Sequence, residues 1–509
     1  MGVLNLRAGD LDTIGVTVLR QVDPSLTGGG VKVAQPEGGY PNENQFEVDP
    51  GFVSQPAGLF TYISTNNAIY SGFPNSGGLV SGHANVVGDN FYGVTAGVAT
   101  NVNHVDNYAA GTFFSDYIYS PGFPLANPAQ VVNQSFIFDS SVELLVNTNY
   151  DNYAAKYGTL FVSAIFGANN AEPICAPGTC YNGIGVGGYG FFYLPGPTTD
   201  GRCKPDIVVP DTADGGAISY ATPYVAGSAA VMLQAANRGD GGANTNAAGD
   251  LRTVKALLLN GAVKPADWTN GAGAPLDARY GAGMLNLFNS WIQLKGGQHA
   301  FIESTTNYSG GAHPPGRNTN NEPVLAGWDY GALSTKTTND VVKHYYFNLP
   351  GSNSFALTAT LVWTKHYAAT GINNLNLFLY NAANSNLVTC STSLVDNVEH
   401  VYVPSLSPGR YDLQVLKPGS AGQISASETN ALAFEIFNLP LSVRLTNDDA
   451  VVSWPVAPSG FALQSAAGLQ SPVSWMTVTN PVAITTNQCV VTVPLGGGER
   501  YFRLMQPSF

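Results

Sequence analysis

The stretch Gly216 to Gly227, GAISYATPYVAG, constrains the fold of this chain more than any other. A Gly/Asp-rich turn, Asp211 to Gly216, precedes it, and small and apolar residues at helical spacing, Ala226 to Ala236, follow. The pattern predicts a loop that delivers Ser219 to the first turn of a buried helix. Pro223 is expected in that first turn, where backbone N–H groups have no intrahelical partner for a proline to remove. Free N–H groups and the positive end of the helix dipole suit a site where negative charge develops on an oxygen. Ala226, Gly227, Ala229 and Ala230 would let the helix approach other backbone closely. A serine in this setting is otherwise an ordinary N-cap, so a nucleophile needs partners elsewhere in the chain.

Other stretches supply candidates. Gly30 to Gln35, GVKVAQ, reads as a strand, and Pro36-Glu37-Gly38-Gly39 follows it as a turn. Gly82 to Gly88, GHANVVG, sets His83, one of seven histidines, before an apolar run, with GVTAGVA following at 93–99. Val131 to Phe136 is a short apolar strand, and Asp151 to Gly158 reads as a helix end closed by Gly158. Thr159 to Phe166 is a second buried strand, running into Gly167-Ala168-Asn169-Asn170. Alternating strand and helix signals predict an α/β domain, a parallel sheet with helices on both faces. Functional groups then gather at the carboxyl ends of the strands.

Together these stretches resemble the motifs of the subtilisin-like serine proteases. The nucleophile motif G-T-S-x-A-T/A-P-x-V-A-G is matched at Ser219, Ala221, Thr222, Pro223, Val225, Ala226 and Gly227, with departures at Ala217, Ile218 and Tyr224. The histidine motif H-G-T-x-V-A-G is matched at His83, Val87 and Gly88, with Ala84 and Asn85 departing. Gly201 to Pro210, GRCKPDIVVP, is close to the family's G-R-x-K-P-D-I-V-A-P, and the resemblance covers roughly residues 10–297.

The resemblance implies a serine endopeptidase acting on proteins or peptides through an acyl-enzyme. Ser219 would be the nucleophile, His83 the general base, and Glu37 would stand where the family has an Asp that orients the histidine. Asn169, or Asn170 one register away, would donate to the oxyanion. Ser135, Phe136 and Ile137 would bind substrate, with Ile137 in place of a glycine narrowing the primary side-chain pocket. Ala84, Ala168 and Ala217 replace family glycines, which keeps open an impaired subtilase-fold binding or structural protein; because the same acyl chemistry handles esters, a serine hydrolase acting mainly on esters is the other alternative. The chemistry requires no cofactor and no metal ligand is predicted. Calcium is common in the family, but no site is assigned.

Composition bounds the remaining classes. The 509 residues carry a net charge of −13 with only 21 Lys and Arg, which argues against nucleic acid as a partner. No apolar run reaches the roughly 20 residues of a membrane span. A monomer is expected. The opening MGVLNLR does not read as a signal peptide, yet the composition suits an exported protein, so a secreted or cell-surface location is expected. Of five cysteines, Cys175 and Cys180 frame a short loop and could pair. Beyond residue 297 the signals turn to period-two strands. This predicts a catalytic domain at 1–297, an antiparallel, jelly-roll-like β-sandwich at 298–438 and a small C-terminal β-domain at 439–509.

Overall fold

The computed structural model describes residues 9–39, 42–120, 129–166, 174–190, 196–210, 218–299, 301–307, 313, 325–334, 339–419, 423–447, 449–485, 488–496 and 499–505. The first region is built on an eight-stranded sheet. Its strands are β1 (Lys32–Glu37), β2 (Phe60–Ile63), β3 (Ile69–Tyr70), β4 (His104–Ala109), β5 (Val131–Gln134), β6 (Leu160–Ala164), β7 (Ile184–Tyr189) and β8 (Ile207–Pro210). They lie in the order β8-β7-β6-β5-β1-β4-β2-β3, parallel throughout except for the antiparallel edge pair β2–β3.

Both faces of this sheet are covered, which is why its strands read as apolar runs rather than as an alternation. Val33, Val131 and Val162 pack on one face into the core that includes Val225, Ala226 and Ala229 of the serine helix. Ala34, Val132 and Phe161 pack on the other against Tyr150 and Tyr153. The longer helices are α1 (Gly82–Tyr92), α2 (Glu143–Tyr157), α3 (Ile218–Arg238), α4 (Leu251–Asn260) and α5 (Leu287–Lys295). Gly158 closes α2 at φ 70°, as expected. The close approach expected of Gly227 is present: a Cβ there would stand 2.6 Å from Val98 and 3.1 Å from the Phe91 carbonyl.

Two local expectations need correction. The first strand does not stop at Gln35 but continues through Pro36 to Glu37, whose side chain is only 1% exposed. A proline is tolerated because β1 pairs with β5 only at Val33 and Ala34, so by Pro36 one side of the strand has left the ladder. Pro223 lies a full turn inside α3 rather than among its free N–H groups.

After Lys295 the architecture becomes antiparallel. A five-stranded sheet holds β9 (Ile302–Asn307), β11 (Asn339–Leu349), β13 (Asn376–Asn381), β14 (Leu387–Ser391) and β16 (Gly409–Lys417), in the order β9-β11-β16-β13-β14. A four-stranded sheet holds β10 (Ala326–Ser334), β12 (Phe355–Trp363), β15 (Val398–Leu406) and β17 (Ser427–Phe437), in the order β10-β17-β12-β15. Their inner faces share one core, including Tyr345, Leu361, Trp363, Leu413 and Phe434, the arrangement of a β-sandwich. The sandwich seats on the first region through side-chain bonds. Asn260 at the end of α4 accepts from Thr358 and Thr360, each at 3.0 Å, and Gln293 of α5 donates to Glu435 at 2.9 Å. Two short antiparallel sheets of four and three strands follow between Ser442 and Met505. No disulfide forms among the described residues, and Cys175 and Cys180 are buried thiols. Hydrogen bonds hold that loop: Arg202 donates to the Thr179 carbonyl and Lys204 Nζ to the Cys180 carbonyl at 3.0 Å.

Candidate active site

Glu37 ends β1 and His83 sits in the first turn of α1, which Ser81 caps by accepting from the Ala84 N–H at 3.2 Å. These two termini meet. His83 Nδ1 and Glu37 Oε2 are 2.8 Å apart. The other carboxylate oxygen accepts from Gln35 Nε2 at 2.8 Å, and that amide also donates to the Ala84 carbonyl at 2.9 Å. The Tyr92 hydroxyl donates to Gln35 Oε1 at 2.5 Å. The Glu37 carboxylate is therefore held on both sides inside the protein, with Gln35 locked by groups at both ends of α1. Burial alone would lower the basicity of the His83 imidazole, but the Glu37 charge and hydrogen bond outweigh it and hold its pKa above the ordinary value.

Ser219 lies in the first turn of α3. The neighbouring Tyr220 ring stands 5.5 Å from the His83 ring, and Asn90 of α1 donates to the Tyr220 carbonyl at 2.9 Å, so α1 and α3 carry the histidine and the serine to one place. Among the described residues no hydrogen bond joins the two. The Ser219 hydroxyl donates instead to the Ser135 backbone carbonyl at 3.3 Å, and the Ser135 hydroxyl donates to the Ser219 carbonyl at 2.7 Å. His83 is 36% exposed and its Nε2 has no protein hydrogen bond among the described residues. That edge of the ring is open to an incoming group.

Ser135, Phe136 and Ile137, all expected to bind substrate, line a cavity of about 320 Å³ with Ala164, Phe166, Ile218 and Ser219. Among the described residues no charged side chain contributes to this wall. Asn169 and its alternative Asn170 lie outside the described residues, as do Ala168 and Ala217. Ala84 is accommodated in a helical turn with its methyl group fully buried.

Sequence reasoning missed Gln35, Tyr92 and Tyr220. Gln35 was accessible in principle: it stands two residues before Glu37 on the same strand, and so on the same face. Tyr92 and Tyr220 reach the site only through the packing of α1 against β1 and α3, and carry no motif of their own.

A carboxylate–imidazole pair beside a serine at a helix start, opening on an apolar cavity, has the parts of a serine-hydrolase site. Residues 64–283 match the model of the Subtilase family (Peptidase_S8). The matched span includes His83, Ser135 and Ser219 and begins beyond Glu37. No curated protein sequence matches the chain. Among solved structures, the chain is similar to a protease from Pseudoalteromonas arctica at 17% identity, covering 55% of this chain and 94% of that one, with a TM-score of 0.35. It is also similar to fervidolysin from Fervidobacterium pennivorans, a keratinolytic enzyme related to subtilisin, at 13% identity, covering 96% and 77%, with a TM-score of 0.37. A serine protease of Aeromonas sobria matches at 13% identity, covering 94% and 89%, with a TM-score of 0.31. Similarities this distant carry no weight beyond the family match.

Proposed function

We propose that this protein is a serine endopeptidase that cleaves proteins or peptides through an acyl-enzyme. The observation that carries the reading is the 2.8 Å Glu37–His83 bond on the elements packed beside Ser219, which itself lines an apolar cavity. Substrate binding would turn the Ser219 hydroxyl from the Ser135 carbonyl to His83 Nε2. His83 then takes its proton as Ser219 attacks the scissile carbonyl, while Glu37 holds the imidazole tautomer and favours its charged form. The N–H groups at the start of α3 and the Asn169 amide would receive the oxyanion. His83 returns the proton to the leaving amine, and water releases the acyl group. The wall of Ile137, Ala164, Phe166 and Ile218 favours an apolar side chain before the scissile bond.

These steps call for no metal or cofactor, and a monomer working outside the cell suits them. No helix among the described residues is long and apolar enough to cross a membrane.

A second reading, an impaired subtilase-fold binding protein, is favoured by one observation: the Ser219 hydroxyl rests on Ser135 rather than on His83. Labelling with a fluorophosphonate probe, followed by peptide mapping with Ser219→Ala as control, separates the two. An adduct on Ser219 together with breakdown of casein is expected. Folded protein that takes no label would overturn the peptidase reading in favour of the binding protein.

A further inference from the structure

Pro223 lies one turn beyond Ser219 within α3. In an α-helix the N–H of residue 223 would bond the carbonyl of residue 219. Proline has no N–H, and its ring crowds that same carbonyl, so Ser219 loses its helical donor at the turn that must hold it still. The Ser135 hydroxyl takes up this carbonyl at 2.7 Å. Asn133, which is 0% exposed, donates Nδ2 to the Ser135 Oγ at 3.0 Å. A hydroxyl has one proton, and with a lone pair turned to Asn133 that proton is directed to Ser219. The contact is returned, since the Ser135 backbone carbonyl accepts the Ser219 hydroxyl at 3.3 Å.

We propose that Ser135, oriented by Asn133, is a positioning residue that stands in for the amide N–H missing at Pro223 and so fixes the turn carrying Ser219. This rests on the reading of Ser219 as the nucleophile. A partly buried carbonyl without a donor is costly, and the first turn would relieve it by shifting. Displacements of about 1 Å at a reacting atom are enough to cost on the order of a hundredfold in rate. The hydroxyl of Ser135 therefore acts on turnover more than on substrate affinity.

The test is a double-mutant cycle in the full chain, reading the fluorophosphonate labelling rate together with kcat and KM on fluorescently labelled casein. Ser135→Ala is expected to lower the labelling rate and kcat about fivefold to tenfold with little change in KM, the scale of one lost buried hydrogen bond. Ser135→Thr keeps a hydroxyl and is expected to retain clearly more activity than Ser135→Ala. Pro223→Ala restores an N–H at 223, so the loss on Ser135→Ala should shrink to about twofold or less in that background. Asn133→Ala should follow the same pattern at smaller amplitude. An equal loss from Ser135→Ala in the parent and in the Pro223→Ala background would overturn the proposal, as would a loss carried wholly by KM. A folded parent that takes no label on Ser219 would overturn the nucleophile reading, and the relay with it. Labelling of the parent with an additive cycle removes the relay alone.

Discussion

Two serine–histidine–carboxylate sets stand in this molecule, and they make opposite use of similar geometry. In the first, Glu37 holds His83 at 2.8 Å and the serine rests elsewhere. In the second, on the outer face of the five-stranded sheet, Asp412 holds His344 Nδ1 at 2.8 Å and the Ser304 hydroxyl already meets His344 Nε2 at 2.7 Å. By hydrogen-bond distances alone the second set is the more complete. Its surroundings are those of a structural network. Ser304, His344 and Asp412 lie on three neighbouring strands, β9, β11 and β16, whose backbones are committed to the ladder. His344 is 8% exposed and stacks flat on Tyr346. Ser304 sits mid-strand, with no helix start to supply N–H groups to an oxyanion. Under the proposed function, the difference teaches that a site built to react keeps a bond unmade. His83 Nε2 has no hydrogen bond among the described residues, whereas His344 has both nitrogens engaged.

The largest expected contrast is in the serines. Ser219→Ala should reduce kcat/KM by roughly 10⁴-fold or more and abolish fluorophosphonate labelling. Ser304→Ala should leave both within about twofold and lower stability by about 1 kcal/mol, read from urea unfolding. Loss of activity from Ser304→Ala in a folded protein would break the comparison.

Next are the carboxylates. Glu37→Gln should reduce kcat roughly 10³–10⁴-fold by favouring the wrong imidazole tautomer. Asp412→Asn should change stability rather than turnover. Burial holds the Asp412 carboxyl above its usual pKa, with His344 pulling the other way.

The acid limb of kcat/KM sharpens the assignment of the base. Because His83 titrates above its ordinary value of about 6.5, activity should fall as pH drops through a midpoint above that value. Residual activity of Glu37→Gln should keep a limb displaced to lower pH. For stability the sign is reversed. The raised His83 pKa contributes stability that is fully present below about pH 6.5 and lost as pH rises through the folded value.

The smallest effect concerns the cavity. Ile137→Gly should widen it and shift the preference between large and small apolar residues by about tenfold, measured on a peptide nitroanilide panel.

Much of the site was legible because its chemistry is carried by short strings. Ser219 before a small-residue helix and His83 before its apolar run announce themselves locally. The parallel sheet showed in the alternation of buried strands such as Val131 to Phe136 with helices closed by residues such as Gly158. Glu37 was legible only as a position in a motif, and it read as a turn residue. Its burial comes from β1 continuing past Pro36 on the side where β5 has already departed. Asn169 belongs to neither account, since it lies outside the described residues.

What the sequence by itself determined is the set of candidate reactive side chains, their order along the chain and the two classes of sheet. These depend on local spacing and on which residues must leave water. What the tertiary structure decided is which atoms meet: the Tyr92–Gln35–Glu37–His83 chain, the Tyr220 ring against His83, and the Ser135 hydroxyl at the carbonyl that Pro223 leaves bare. These contacts join residues as far apart in the chain as His83 and Tyr220. A hydrogen bond forms within about 3 Å, and only the packing of strands and helices around a shared core brings such residues that close.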